Sequence, residues 1–266
     1  MPADYKKKVI IALDFNNIKD AKNLIHKLEG EAYIYKVGLE LFLNCGNEIL
    51  IFLKRAGYKI FLDLKFYDIP NTVYNAVKSA GLFGVDIINV HASGGIEMMK
   101  AAKKGLLEAQ ETAGKKIELF AVTVLTSFSS EDVKEVFDFH NNCVYGINQE
   151  NTAESIALHL AGLAEKSGLD GVVCSPLESL SIKKKFGDNF KTITPGIRLK
   201  ENNIKKQNTL EKENSIKNRH DDQKRITSPS EAFRNKADYI VVGRPVAHAA
   251  EPLASLKKIY RDIETC

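Results

Sequence analysis

An acidic and a basic side chain alternate in one short stretch of the sequence, Phe61-Leu-Asp-Leu-Lys65. Successive side chains of a β-strand point to opposite faces, so Asp63 and Lys65 share one face with Phe61 while the two leucines share the other. An ammonium group flanked by carboxylates stays protonated even when it is partly buried. Such a pair has the chemistry to stabilise a developing anion and to give it a proton. Asp68 adds a carboxylate in the adjoining loop.

Further polar residues stand at the ends of other predicted strands, namely Asp14, Lys36, Asn89 and His91. A single Asp-x-Lys motif is more often a structural ion pair than a catalytic one, since structural pairs also perturb pKa values. Charges from several strands at one mouth are harder to explain in this way, because buried ions are costly unless they are paired. The set therefore predicts an active site, in which we expect His91 to be structural and not a base.

The same residues argue against a metal centre. Asp14, Asp63 and Asp68 carry the oxygen ligands that magnesium prefers. The interleaved Lys36 and Lys65 would repel a divalent ion and already neutralise these carboxylates. The cysteines are scattered, without a CxxC pair or histidine-rich spacing: Cys45, Cys143, Cys174 and Cys266. They indicate neither a zinc site nor a disulfide framework and fit a reducing cytoplasm, so we expect no metal.

Two glycine-containing segments near the end of the chain have the chemistry of an anion site. Thr194-Pro-Gly-Ile-Arg198 follows the seventh predicted strand, and Gly243-Arg-Pro245 follows the eighth. Glycines let backbone N–H groups approach an anion, and an arginine is a planar bidentate partner for it. Each segment alone is also ordinary turn chemistry. Their joint position predicts a phosphate site, because the loops after strands 7 and 8 bind phosphate in (β/α)8 barrels.

These residues need a scaffold that brings strand ends together. Short β-branched or aromatic runs, which predict strands, alternate with amphipathic segments, which predict helices. The predicted strands cover residues 9–15, 33–37, 59–65, 86–91, 117–125, 171–174, 191–194 and 239–242. The predicted helices cover residues 18–28, 41–55, 70–83, 94–110, 148–167, 177–186, 230–235 and 249–263, with Pro70 and Pro176 in first turns.

This alternation indicates parallel βαβ units, either closed as a barrel or open as a doubly wound sheet. Eight strands in a chain of 266 residues favour the closed form, a single-domain (β/α)8 TIM barrel spanning 1–266. Residues 200–225 depart from the pattern, because they are rich in Lys, Asn, Glu and Gln and poor in large apolar side chains. We predict a long polar loop insertion at about residues 200–222.

Composition limits the classes of function. The net charge of +4 is modest, and basic residues are interspersed with acidic ones, so we expect no nucleic-acid partner. Asp14 interrupts the first apolar run too early for a signal peptide, and no apolar stretch approaches membrane-spanning length. We expect a cytoplasmic enzyme acting on a small phosphorylated metabolite.

As a set, these motifs resemble the orotidine 5'-monophosphate decarboxylase family. The resemblance rests first on Phe61-Leu-Asp-Leu-Lys-Phe-Tyr-Asp-Ile-Pro-Asn-Thr72. It extends over nearly the whole chain through Ala12-Leu-Asp14, Lys36-Val-Gly38, Asn89-Val-His-Ala-Ser-Gly-Gly95, Val122-Thr-Val-Leu-Thr-Ser127, Gly171-Val-Val-Cys-Ser175, Thr194-Pro-Gly-Ile-Arg198 and Val242-Gly-Arg-Pro245. It implies a homodimer, with sites at the subunit interface, that converts orotidine 5'-monophosphate to UMP without a cofactor. That reaction is the last step of de novo pyrimidine nucleotide synthesis.

The resemblance also implies roles for individual residues. The implied catalytic residues are Lys36, Asp63, Lys65 and Asp68, with Lys65 as the proton donor to a C6 carbanion and Asp68 reaching the partner subunit's site. The implied substrate-binding residues are Asp14, Lys36, Asp63, Asp68, Ile69, Thr72, Thr126, Arg198, Gln223, Gly243 and Arg244. Among them, the ribose hydroxyls meet Asp14 and Lys36, the base meets Thr126, and the last four residues hold base and phosphate through a closing loop. The long insertion between Arg198 and Gln223 departs from the family pattern.

Two other interpretations remain open at this stage. A sugar-phosphate decarboxylase or a hexulose-phosphate synthase shares an Asp-x-Lys-x-x-Asp motif but uses magnesium, and the Ile69-Pro-Asn-Thr72 continuation favours the nucleotide enzyme over both. A catalytically inactive binding or scaffolding barrel is the alternative from another class, because a fold does not guarantee a function.

Overall fold

The computed structural model describes residues 3–137, 152–199 and 223–266. Its strands are β1 (Val9–Ala12), β2 (Ile34–Gly38), β3 (Lys59–Phe66), β4 (Ile87–His91), β5 (Glu118–Val122), β6 (Gly171–Val173), β7 (Lys191–Thr194) and β8 (Tyr239–Val242). All eight pair in parallel in chain order, and β8 pairs with β1 to close the barrel. The predicted single-domain (β/α)8 TIM barrel is therefore confirmed.

The helices that accompany these strands are α1 (Ala3–Lys6), α2 (Ile18–Lys27), α3 (Leu39–Cys45), α4 (Glu48–Arg55), α5 (Pro70–Leu82), α6 (Gly95–Ala113), α7 (Ser130–Phe137), α8 (Ala153–Lys166), α9 (Ser179–Phe186), α10 (Pro229–Arg234), α11 (Arg244–Ala247) and α12 (Pro252–Ile263). Pro70 occupies the predicted first-turn position of α5. Across the described ranges, no helix has both the length and the apolar character needed to span a bilayer.

The helix predictions were wrong in detail at several places. The predicted helix 41–55 is two helices, α3 and α4, because the chain turns at Gly46 with φ of 56°, a conformation that glycine adopts without strain. Pro176 lies in a turn, and α9 begins only at Ser179. Helices α1, α7 and α11 were not predicted at all. The predicted helix 148–167 begins at Ala153 behind a Thr152 capping box, and residues 148–151 and 200–222 lie outside the described residues.

Alternation along the strands divides the core into two layers. Ile10 and Ala12 of β1 belong to the cluster that fills the barrel, whereas Ile11 packs in the layer between barrel and helices. In β3, Phe61 faces the barrel interior and Leu62 faces the helices, as the sequence predicted. This alternation directs the polar residues further along β3 towards the barrel mouth.

Three aspartates stabilise the opposite, amino-terminal end of the barrel by the same pattern. Asp86, Asp170 and Asp238 each stand one residue before a strand, β4, β6 and β8 respectively. In each case the carboxylate accepts the N–H of a residue in the preceding strand, and the aspartate N–H donates to the carbonyl of that same residue. A lysine pairs with each carboxylate: Lys115, Lys103 and Lys183. We call these three groups the aspartate clasps.

Candidate active site

A cavity of about 1020 Å³ opens at the carboxyl ends of the strands. In (β/α)8 barrels this is the end at which active sites are found. The predicted site residues that line it are Asp14, Lys36, Asp63, Lys65, Thr126, Arg198, Gln223, Gly243 and Arg244. Apolar side chains from the barrel interior, among them Phe61, Val122 and Val173, line the same space. The cavity therefore combines an apolar surface with convergent charged groups, as ligand sites do.

Asp63 is the centre of the charged network in this cavity. Its Oδ1 atom lies 2.7 Å from Nζ of Lys65, and its Oδ2 atom lies 3.2 Å from Nζ of Lys36. The Lys36 ammonium also lies 3.0 Å from Oδ1 of Asp14, so the four side chains form one continuous chain of opposite charges. The Asp63 side chain is 10% exposed and that of Lys36 is 12% exposed, which shields their contacts from solvent.

The network keeps its own charges in place. Burial raises the pKa of Asp63, but the Lys36 and Lys65 ammonium groups and the hydrogen bonds from Lys65 and Asn89 outweigh it, so the pKa falls below its ordinary value of 3.8. Burial lowers the pKa of Lys36, but Asp63 and Asp14 outweigh it, so the pKa rises above 10.5. Burial, and then Lys65, lower the pKa of His91 below 6.5, which leaves its imidazole neutral at neutral pH.

Lys65 has a left-handed backbone conformation, with φ of 51°. For a residue other than glycine this conformation costs on the order of 1–2 kcal/mol. The register between β3 and β4 shifts between Leu62 and Phe66, so Lys65 sits in an irregular part of the strand. Its N–H donates to the Oδ1 atom of the Asn89 side chain at 2.9 Å. Local strain of this kind concentrates at functional sites, where surrounding structure holds it.

The opposite side of the cavity has the predicted anion-binding segments. Gly196 has φ of 85°, and a Cβ atom there would lie only 2.8 Å from the carbonyl oxygen of Arg225, so this position requires glycine. The N–H of Arg198 donates to the Thr227 carbonyl, and the Thr227 N–H donates to the Gly196 carbonyl. The segments that flank the predicted insertion are therefore paired with each other beside the cavity. Gly243 and Arg244 enter from the adjacent loop after β8.

A group that was not predicted from the sequence joins three loops at the mouth. The Arg225 guanidinium donates to the carbonyls of Val124 and Leu125, each at 3.0 Å, and forms an ion pair with the buried Glu178. The N–H of Arg225 and that of its neighbour Lys224 also donate to the Thr126 carbonyl. This group, the Arg225 clasp, fixes Gln223 and Thr126 at the edge of the cavity. Arg225 stands in a polar run, so nothing in its type or spacing distinguished it.

The structure does not place Asp68, Ile69 and Thr72 on the cavity. All three are exposed, and the Asp68 carboxylate accepts the Ile69 N–H at 2.6 Å. Their side chains do not line the site of their own chain. That position is compatible with the expectation that Asp68 serves a partner subunit.

Residues 3–137, 152–199 and 223–266 contain no group of three or more His, Cys, Asp or Glu side chains arranged to hold a metal ion. Cys45, Cys174 and Cys266 are free thiols. Cys143 lies outside the described residues.

The fold and the site together define a (β/α)8-barrel enzyme with an ammonium–carboxylate network facing a mixed polar and apolar cavity. Residues 7–259 match the family model described as "Orotidine 5'-phosphate decarboxylase / HUMPS family". The chain belongs to this family.

Individual relatives agree with the family match. The chain is 44% identical over 257 residues to an orotidine 5'-phosphate decarboxylase of Legionella pneumophila, covering 96% of this chain and 99% of the relative. It is 40% identical to another from Wigglesworthia glossinidia brevipalpis, covering 94% and 95%. A solved orotidine 5'-phosphate decarboxylase from Lactobacillus acidophilus is similar with a TM-score of 0.75 and 35% identity, covering 96% of this chain and 98% of that one.

Proposed function

We propose that this protein decarboxylates orotidine 5'-monophosphate to UMP, the last step of de novo pyrimidine nucleotide synthesis. The observation that carries the proposal is the position of Asp63, in contact with the ammonium groups of both Lys36 and Lys65 inside the cavity. The names of the relatives supply the substrate. The free thiols suit the reducing cytoplasm that we expect as its location.

The reaction breaks the bond between C6 of the pyrimidine and its carboxylate carbon. Carbon dioxide leaves, and the electron pair of the broken bond remains on C6, which has no neighbouring electron sink. The Lys65 ammonium stabilises this charge as it develops and then transfers a proton to C6, forming the new C–H bond. A preorganised ammonium in a water-poor cavity interacts more strongly with the transition state than with the substrate, as catalysis requires.

The remaining charges prepare Lys65 for this step. Asp63 sits within 2.7 Å of Lys65 and orients its ammonium, while Lys36 balances the second oxygen of the same carboxylate. Asp14 and Lys36 are the proposed partners of the ribose hydroxyls, and Thr126 that of the base. Because Asp14 and Asp63 are both paired with Lys36, they are poor ligands for a divalent ion, which favours a metal-free reaction over the magnesium-dependent alternative.

The phosphate is the proposed ligand of Arg198, Gln223, Gly243 and Arg244, with the Gly196 turn beside them. The phosphate lies away from the reacting carbon. Its binding energy can therefore orient the substrate and order the loops without taking part in the breaking of the bond. We propose that residues 200–222 are an insertion within the single domain.

A second subunit completes the proposed site. Large apolar side chains are exposed after β2 and β3, the strands that carry Lys36 and Asp63: Leu39 at 52%, Leu43 at 81%, Tyr67 at 60% and Ile69 at 68%. Exposed apolar surface of this kind marks an interface. Asp68 lies between Tyr67 and Ile69, so a homodimer formed through this surface would carry its carboxylate into the partner's cavity.

The decisive experiment is the assay of purified protein with orotidine 5'-monophosphate, followed by the loss of orotate absorbance, with and without a chelator. We expect turnover in both conditions, which a scaffolding barrel or a magnesium-dependent enzyme would not give. The Lys65→Ala variant should lose at least about 10⁴-fold in turnover, in line with removal of a charge-stabilising proton donor, and should keep the circular dichroism spectrum of the wild type. Near-normal activity of this variant would refute the proton-donor role.

A further inference from the structure

Asn89 is completely buried in β4, directly behind the charged network. Its Nδ2 atom donates to Oδ1 of Asp63 at 2.7 Å, and its Oδ1 atom accepts the backbone N–H of Lys65 at 2.9 Å. One amide thus binds the carboxylate of one network residue and the backbone of another. Asn89 does not line the cavity, so it has no direct route to a ligand.

The strand pairing explains why a side chain is needed here. Leu62 pairs with Ile88 and Phe66 pairs with Val90, so β3 advances four residues while β4 advances two. In that irregular stretch the Lys65 N–H donates to the side chain of Asn89 in the neighbouring strand. The Asn89 amide thus supplies an acceptor at the residue whose φ is 51°.

The same amide also fixes how the Asp63 carboxylate is turned. Oδ1 of Asp63 accepts hydrogen bonds from Nδ2 of Asn89 and Nζ of Lys65, while Oδ2 forms the ion pair with Nζ of Lys36. Rotation of the carboxylate would break all three contacts. An amide supplies a donor and an acceptor without charge at any ordinary pH, whereas a carboxylate at this position would repel Asp63.

We propose that Asn89 is a positioning residue, which holds the Asp63 carboxylate and the Lys65 backbone together so that the Lys65 ammonium is aimed before substrate binds. This inference rests on the proposed function of Lys65 and extends it to a residue that touches no reacting atom. Displacement of a catalytic group by about 1 Å can cost on the order of 100-fold in rate. We therefore expect Asn89 variants to lose kcat while KM changes little, because the phosphate-binding end is untouched.

The test compares Asn89→Ala and Asn89→Asp with Thr192→Val, a matched control. Thr192 is also completely buried in a strand, and its hydroxyl is bonded to that of Ser179, away from the cavity. Thr192→Val should lose some stability and keep its kcat. Asn89→Ala should lose about 100-fold in kcat at every pH, because the Lys65 ammonium is no longer held in position.

The Asn89→Asp variant separates positioning from general damage to the fold. Its introduced carboxyl group can donate to Asp63 only when it is protonated, so its kcat should rise as the pH falls, unlike that of the wild type or Asn89→Ala. A wild-type kcat in Asn89→Ala, or a pH profile of Asn89→Asp parallel to that of the wild type, would overturn the inference.

Crystal structures of the variants make the test independent of the assay. Asn89→Asp preserves size and should fold if Asn89→Ala does not. In its structure we expect the Lys65 ammonium to move away from Asp63 and the backbone φ of Lys65 to become negative. An unchanged Lys65 geometry would refute the positioning role, even if wild-type protein failed to act on orotidine 5'-monophosphate. Such a failure would count against the proposed function alone.

Discussion

The site depends on a balance of charges around Asp63. Two ammonium groups, on Lys36 and Lys65, are matched by the carboxylates of Asp63 and Asp14. Burying ions is costly unless each is paired, and here each has a partner within 3.2 Å. Removing one of these four side chains therefore does more than delete a contact, because it leaves an uncompensated charge that is shielded from solvent.

This balance predicts that neither Asp63 nor Lys36 titrates near neutral pH. The Asp63 pKa is lowered below 3.8, so its carboxylate stays ionised, and its stabilising effect persists, until the pH falls through that lowered value. The Lys36 pKa is raised above 10.5, so its contribution is lost only as the pH rises through the raised value. We expect neither group to add a step to the pH profile of kcat, measured at saturating substrate, between about pH 5 and pH 9. An ionisation near neutral pH that disappears in Asp63→Asn would contradict these assignments.

Sequence reasoning found the charged residues of the site and missed what holds them. Alternation along β3 correctly placed Asp63 and Lys65 on the side of the cavity. It gave no sign of the positive φ at Lys65, because that conformation depends on the shifted register with β4. Asn89 was noted as a polar strand end, but its two hydrogen bonds join residues that only the folded barrel brings together.

The aspartate clasps fix the strands from the end opposite the site. In the Asp170 clasp, the carboxylate accepts the Leu119 N–H at 2.9 Å and the Lys103 ammonium at 2.9 Å. Its own N–H donates to the Leu119 carbonyl at 3.0 Å. Adjacent strands β5 and β6 are thereby locked in register at their starting points.

We expect Asp170→Ala to lower the free energy of unfolding by about 1–3 kcal/mol, because it leaves a buried N–H without its acceptor. Urea unfolding measures this loss, and kcat should be unchanged because the clasp lies at the other end of the barrel. Asp188→Ala is the matched control, since its ion pair with Lys236 is largely exposed and should contribute less than about 1 kcal/mol. Equal losses of unfolding free energy in the two variants would show that the Asp170 clasp stabilises the fold no more than an exposed ion pair does.

Element boundaries were predicted less well than element order. The eight strands follow from runs of β-branched residues, but the division of 41–55 into α3 and α4 depends on one turn at Gly46, inside a continuous apolar pattern. Helix α7 begins at Ser130, where an amphipathic turn is too short to stand out from a loop. Local sequence sets the alternation of strands and helices, whereas packing around the barrel decides where each one stops.

The cavity is built from loops that belong to distant parts of the chain. The Arg225 clasp joins the loops after β5 and β6 to residues 223–225, in one group with Glu178 and Thr126. The remaining side, after β2 and β3, ends in exposed apolar residues and Asp68. A partner subunit on that side would complete the enclosure.

The proposed dimer can be tested by mixing two inactive variants. If each site combines Lys65 of one subunit with Asp68 of the other, Lys65→Ala and Asp68→Ala are each inactive alone. A mixed dimer then has one doubly altered site and one intact site. Random exchange of subunits between equal amounts of the two should restore roughly one quarter of wild-type activity, because half of the dimers are mixed and each has one working site.

The control mixes Lys65→Ala with Asp63→Ala, whose altered residues belong to the same subunit's network, 2.7 Å apart. Neither site of that mixed dimer is intact, so no activity should return. Sedimentation of each mixture verifies that dimers are present. Recovery in the first mixture and not in the second would place Asp68 across the interface. Absence of recovery in a mixture shown to contain dimers would assign the Asp68 carboxylate to its own chain's cavity, or to no cavity at all.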